Sequence, residues 1–90
     1  MSAQDEYAGR LRGLLISLGE HLEPYQLDIL MDAVDHDEGP EALVMLAWYI
    51  VDGDKRVPAA AIADIRELTG GFSAARDLPE DLERYAIDSS

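Results

Sequence analysis

Two acidic segments have the residue types that bind calcium, and they are the first candidates for a chemical site. Asp35–Gly39 and Asp52–Asp54 each place carboxylates close together around a glycine. A calcium loop of the EF-hand type needs glycine at its sixth position and glutamate at its twelfth. The first segment has Pro40 and Leu46 at those positions, and the second fails both as well. The spacing therefore predicts no metal site.

The residues that usually perform catalysis are few and scattered. The chain has no cysteine, and its two histidines, His21 and His36, fall on different predicted elements. Neither histidine has the i,i+4 partner of a helical zinc site, and Ser17 has no base beside it in the sequence. No glycine-rich phosphate loop is present either. We predict that the protein is not an enzyme and uses no cofactor, and that His36, among acids, is solvated and partly protonated.

The charge of the chain is strongly negative and unevenly distributed. The formal net charge is −12, yet no lysine or arginine occurs between Gly13 and Asp54. This charge repels nucleic acid and anionic membranes and attracts cationic partners. The plain alternative is a solvated surface that serves solubility only. The segment without cations holds ten acids: Glu20, Glu23, Asp28, Asp32, Asp35, Asp37, Glu38, Glu41, Asp52 and Asp54.

Apolar residues at spacings of three and four predict that helices position these acids. A chain of 90 residues predicts one domain, 1–90, and we expect an all-α, compact bundle of four to five short helices, with residues 88–90 frayed. No segment alternates like a strand, and 72–78 is expected to be irregular. The expected helices are Gln4–His21, a second from Pro24 onward, Pro40–Val51, Pro58–Thr69 and Pro79–Ile87.

The second helix is predicted to project a column of carboxylates beside its apolar stripe. Asp28, Asp32 and Asp35 recur at i, i+4 and i+7, the period of one helical face. The third helix is apolar on all sides, which is typical of a central, buried helix. We therefore expect Trp48 in the core, whereas Tyr49 suits the core and an exposed contact equally well.

The ends of the chain and its apolar runs favour the cytoplasm. Residues 2–6 are polar and acidic, unlike a secretory signal, and the absence of cysteine gives no sign of an oxidising compartment. The longest apolar run, Ala42–Val51, is half the length of roughly 20 residues that a membrane span needs. We expect a soluble cytoplasmic protein with no membrane partner.

The order of these motifs resembles a known family. The motifs are Tyr7-x3-Leu11-x2-Leu14-Leu15, then Leu27-x2-Leu30-Met31-Asp32, then Asp37-Glu38-Gly39-Pro40-Glu41-Ala42-Leu43-x2-Leu46-Ala47, then Val57-Pro58 before another helix. From about Tyr7 to Leu68 the chain resembles the MafI-like immunity proteins, which are small, acidic, helical proteins encoded beside polymorphic bacterial toxins. It departs from that pattern at Pro40 and after Gly70.

The resemblance implies a protein that binds its cognate toxin and blocks it in the producing cell. An acidic inhibitor suits a basic toxin of the nuclease type, because opposite charges speed association. An acidic adaptor or antitoxin-like regulator of another cationic protein is the alternative, and the surplus apolar surface of the third helix would also suit a homodimer. The expected partner-binding residues are Tyr25, Asp28, Asp32, Asp35, Asp37, Glu38, Glu41, Tyr49, Asp52 and Asp54, with Trp48 and Met45 behind the tyrosines as anchors.

Overall fold

Four α-helices build the fold, which confirms the all-α class. The structure is a computed structural model that describes residues 3–87, so the frayed end expected at 88–90 lies outside the described residues. None of the helices in this range is long and apolar enough to cross a membrane. The helices are α1 (Ala3–Ser17), α2 (Pro24–Asp35), α3 (Gly39–Asp52) and α4 (Ala59–Thr69).

The third helix lies at the centre of the core, as its apolar sequence predicts. Leu46, Ala47 and Ile50 of α3 are fully buried, and α3 packs against α2 and α4. Removing a side chain of the size of Leu46 or Ile50 from water contributes about 1.5–3 kcal/mol. The other helices supply further large core side chains: Leu11 and Leu15 from α1, Leu30 and Val34 from α2, and Ile62 and Ile65 from α4.

Proline and a capping box begin the second helix, at the predicted residue. Pro24 occupies its first turn, where a missing N–H costs little. The Gln26 side chain accepts a hydrogen bond from the Glu23 backbone N–H at 3.0 Å, and the Glu23 side chain caps the N–H of Gln26 in return. The Gln26 N–H also donates to the Glu23 carbonyl at 2.9 Å, and together these bonds fix the start of α2.

The first helix ends earlier than expected. The α-helix stops at Ser17, and Gly19–His21 forms a separate 3-10 turn, so the continuous helix predicted to His21 is wrong. The Ser17 hydroxyl donates to the Leu14 carbonyl at 2.7 Å, and Gly19 follows with the lowest helix propensity after proline. The chain tightens there and turns toward α2.

The segment after α4 differs most from the sequence expectation. Ser73–Asp77, expected to be irregular, and Leu82–Tyr85 are 3-10 helices, so the helix predicted over Pro79–Ile87 is wrong. Ala86–Ile87 (β2) instead pairs in parallel with Val57–Pro58 (β1), two strands that no alternating pattern announces. Pro58 therefore lies in β1 and caps α4, which begins at Ala59.

Contacts with distant residues stabilise this last segment, which has no α-helix. Leu82 is fully buried against the core. The Arg66 guanidinium makes two hydrogen bonds to Glu83, at 2.8 and 2.7 Å, and a third to the Pro79 carbonyl. Arg56 donates to the Arg84 carbonyl from the other side. These contacts join positions far apart in sequence, so a reading of local propensity misses them.

Candidate partner-binding surface

All ten acids of the segment without cations are exposed. The column formed by Asp28, Asp32 and Asp35 faces solvent along α2, as its spacing predicts. Among residues 5–87, Asp28, Glu38 and Glu41 form no ion pair. The surface therefore carries a negative potential that the protein itself does not neutralise at these positions.

A shallow hollow of about 330 Å³ lies between α2 and α3. Ile29 and Met45 supply apolar walls, and Asp32, His36 and Glu38 supply the polar ones, together with the backbone region of Ala33. Because only residues 36–38 connect α2 to α3 and the two helices are in contact, the end of α2 lies close to the beginning of α3 here. Apolar surface and carboxylates are thus presented together.

A second hollow of about 340 Å³ also has Met45 in its lining. Because Met45 lines both hollows, we take them together and call them the acidic groove. Three of the expected partner-binding acids line it: Asp32, Glu38 and Glu41. Both hollows are open to solvent, a shape that suits side chains of a protein partner better than an enclosed small molecule. The second hollow is lined by Glu41, Val44, Met45, Ser73, Ala74 and Asp77.

Trp48 stands beside the groove and not in the core, so the expectation that it is buried is wrong. Its side chain is 43% exposed, and its indole N–H donates to the backbone carbonyl of Asp77 at 2.8 Å. An indole N–H needs an acceptor, which the apolar core does not offer. Leu46, Ala47 and Ile50 already fill the buried side of α3, so Trp48 falls on the outer side.

The two expected tyrosine anchors lie on the helices that form the groove. Tyr25 is 61% exposed and precedes Ile29 by one turn of α2. Tyr49 follows Met45 by one turn of α3 and is half-buried against the core. Tyr25 offers a free aromatic surface, whereas Tyr49 can present only part of its ring.

Asp35 and Asp37 belong to a different part of the surface. Together with Asp5, Arg12 and Val34 they line a separate hollow against α1. The Arg12 guanidinium donates directly to the Asp35 carboxylate. This cation from α1 offsets part of the negative charge, so the acids chosen from the sequence do not form one uniform patch.

Asp52 ends α3, Asp54 follows it, and both lie outside the two hollows of the groove. Asp54 adopts a positive φ of 49°, and its carboxylate is 3.9 Å from the Arg56 guanidinium. Exposed pairs of this kind contribute about 1 kcal/mol or less. Asp52 is exposed at the end of α3, one turn beyond Trp48 on the same side of the helix.

His36 lines the first hollow of the groove, next to Asp32. Its Nδ1 lies 2.8 Å from the Asp32 carbonyl oxygen and 3.5 Å from Oδ1 of the same residue. The backbone hydrogen bond raises the pKa of His36 above its ordinary 6.5, and the charges of Asp32, Glu38 and Asp35 raise it further. The histidine is exposed, and its acidic surroundings favour the protonated form.

The remaining carboxylates of the described part of the chain were compared with the requirements of a metal site. Residues 5–87 contain no group of three or more side chains placed to hold a metal ion. Arg66 lowers the pKa of Glu83 through their hydrogen bonds, but that pair lies on the surface and supports the C-terminal segment. The groove thus offers charge and apolar contact, which are means of binding.

The groove is also lined by Ile29 and Asp77, which the sequence analysis did not name, and by Met45, which it placed behind the tyrosines. Ile29 is 44% exposed, and it stands outside the stripe of Leu27, Leu30 and Met31 that explains the core side of α2. An isoleucine set apart from that stripe and next to acids was the available signal. Asp77 had no signal, because its position depends on how the 3-10 helix Ser73–Asp77 packs on α3.

Comparison with known proteins adds no assignment. No protein-family model, curated protein or solved structure matches the chain. The properties of the surface therefore provide the basis for a functional proposal.

Proposed function

We propose that this chain is an immunity protein that binds and neutralises a basic bacterial toxin domain of the nuclease type. One observation carries the proposal: exposed carboxylates, several without an ion pair among residues 5–87, surround an open groove with apolar walls. Nucleases must attract a polyanion, so their active surfaces are basic. An acidic protein is attracted to such a surface and can cover it.

The two kinds of residue in the groove have separate energetic roles. Exposed charges at the rim mainly raise the association rate and select the partner. A few desolvated apolar contacts supply most of the affinity in protein interfaces. The exposed Ile29 and Trp48 and the half-buried Met45 are the apolar side chains in and beside the groove that would make such contacts.

Charge reversal tests the proposal directly. Asp32→Lys places a cation in the groove and is expected to weaken binding to a basic partner by about tenfold or more. Asp35→Lys is expected to weaken binding less than Asp32→Lys does, because Asp35 is already paired with Arg12. The new lysine would instead repel that arginine. The measurement is calorimetric titration with the product of the adjacent gene. An affinity unchanged by Asp32→Lys would contradict binding through this surface.

An acidic adaptor that binds a cationic protein other than a toxin is the competing function. It would use the same groove, so the groove does not separate the two. The discriminating result is toxicity: expression of the adjacent gene product alone should arrest growth of a host cell, and co-expression of this chain should restore it. Binding without any toxicity would favour the adaptor.

A further inference from the structure

We infer that the acidic groove receives a basic, amphipathic segment of the partner, with one apolar side chain seated on Met45 and Lys or Arg side chains on both sides of it. This inference rests on the proposed function and specifies which face is used and what chemistry fits it. Met45 is the residue that both hollows share, so it marks the centre of the groove.

The floor of the groove is suited to an apolar anchor. Met45 is half-buried on the core, with Ile29 in the first hollow and Val44 in the second. Single apolar side chains are ordinary on protein surfaces, but here Met45 shares each hollow with a second apolar side chain. Methionine is unbranched and polarisable, so it adapts to aliphatic and aromatic side chains alike. A seated side chain would cover surface that water now contacts.

Carboxylates stand on both sides of this floor. Asp32 and Glu38 border the first hollow, and Glu41 and Asp77 border the second. No lysine or arginine lines either hollow among the described residues; Arg76 is exposed on the 3-10 helix Ser73–Asp77 but does not line it. Charge complementarity therefore selects cations placed before and after the apolar anchor, and it disfavours an acidic segment or a phosphate.

NMR signals from three residues of the wild-type chain can show where the partner binds. Trp48 is the chain's single tryptophan, so 5-fluorotryptophan gives one 19F resonance at the edge of the groove. Methyl-labelled methionine adds Met45 in the groove and Met31 on the core-facing side of α2 as an internal control. Titration with the unlabelled product of the adjacent gene should shift the Trp48 and Met45 signals and leave Met31 nearly unchanged.

Matched variants separate apolar from electrostatic contributions. Met45→Ala and Ile29→Ser are each expected to weaken binding by about tenfold, since removal of a contact residue commonly costs that much. Ile16→Ser is the control, because Ile16 is 70% exposed on α1, away from the groove. Thermal unfolding of each variant shows whether it folds, and the wild-type NMR result stands independently of the variants.

Two double variants of equal net charge test the carboxylates, one in the groove and one outside it. Glu38→Gln with Glu41→Gln should lower affinity about tenfold at low salt and less at physiological salt, because salt screens exposed charges. Glu20→Gln with Glu80→Gln removes two exposed acids that do not line the groove, and it should lower affinity by less than about threefold.

The outcomes distinguish failure of this inference from failure of the proposed function. If the wild-type chain does not bind the adjacent gene product, both are overturned. If it binds while Trp48 and Met45 signals stay fixed and the groove variants bind normally, the function stands and the groove is the wrong face. Shifts confined to the groove together with both matched differences support the inference.

Discussion

One substitution, glycine to alanine, is expected to have opposite effects at two positions, and the structure supplies the reason. A β-carbon at Gly39 would lie 2.6 Å from Cδ1 of Leu11 and 2.9 Å from Cε1 of Tyr7. Leu11 is only 1% exposed, and the Tyr7 hydroxyl is held by a 2.6 Å hydrogen bond to the Leu68 carbonyl. Neither side chain can move away cheaply, so Gly39 is needed where α1 crosses the start of α3.

The magnitudes decide the sign. Overpacking a tight contact costs about 1–3 kcal/mol, whereas alanine gains up to about 1 kcal/mol over glycine inside a helix and less in the first turn. Gly39→Ala should therefore lower the free energy of unfolding by about 1–2 kcal/mol. Gly13 is exposed in the middle of α1, and a β-carbon there meets nothing within 4 Å. Gly13→Ala should raise the free energy of unfolding by about 0.5–1 kcal/mol.

Urea and thermal denaturation, both followed by circular dichroism, measure the two changes. In a domain of this size 1 kcal/mol moves the melting temperature by about 4–8 °C, so the two variants should separate clearly on either side of the wild type. A Gly39→Ala variant as stable as the wild type would show that Leu11 and Tyr7 yield freely. The close contact of Leu11 and Tyr7 with Gly39 would then not be the constraint proposed here.

Three further predictions concern hydrogen bonds and pH. Tyr7→Phe removes the hydroxyl that links α1 to α4 and should lower the free energy of unfolding in urea by about 0.5–1.5 kcal/mol. Burial and Glu41 raise the pKa of Tyr7, so the contribution of its neutral hydroxyl to stability is complete below pH 10.0 and declines above it. NMR should give a pKa of His36 above 6.5, and Asp32→Asn should lower that pKa. Because the pKa of His36 is raised in the folded protein, the contribution of protonated His36 to stability is lost as the pH rises through the folded pKa. Glu83→Gln should cost less than about 1 kcal/mol above pH 4.5 and nothing once acid has protonated Glu83, because Arg66 lowers that pKa.

The sequence was sufficient for features with strong local causes. Pro24 and its capping partners define where α2 begins, and the unbroken apolar character of α3 predicts its central place. The exposure of the acid column also follows directly, since charged side chains avoid the interior unless they are paired. Fold class and the charged surface could therefore be read without the structure.

The grouping of the site depends on contacts between distant residues, which the sequence does not display. Arg12 lies 23 positions from Asp35 yet pairs with it and separates it from the groove. A helix that is apolar on all sides gives no signal of which face is outward, so Trp48 was misplaced. Asp77 reaches the groove only because its 3-10 helix packs on α3.

Binding of the adjacent gene product to the wild-type chain tests the central claim most directly. Calorimetry should be performed at low and at physiological salt. If the chain is an immunity protein with an acidic binding surface, we expect a dissociation constant on the order of nanomolar and weaker binding as the salt concentration increases. Absence of binding at both salt concentrations would contradict the immunity function. Tight binding without any salt dependence would instead contradict the part assigned to Asp32, Glu38 and Glu41.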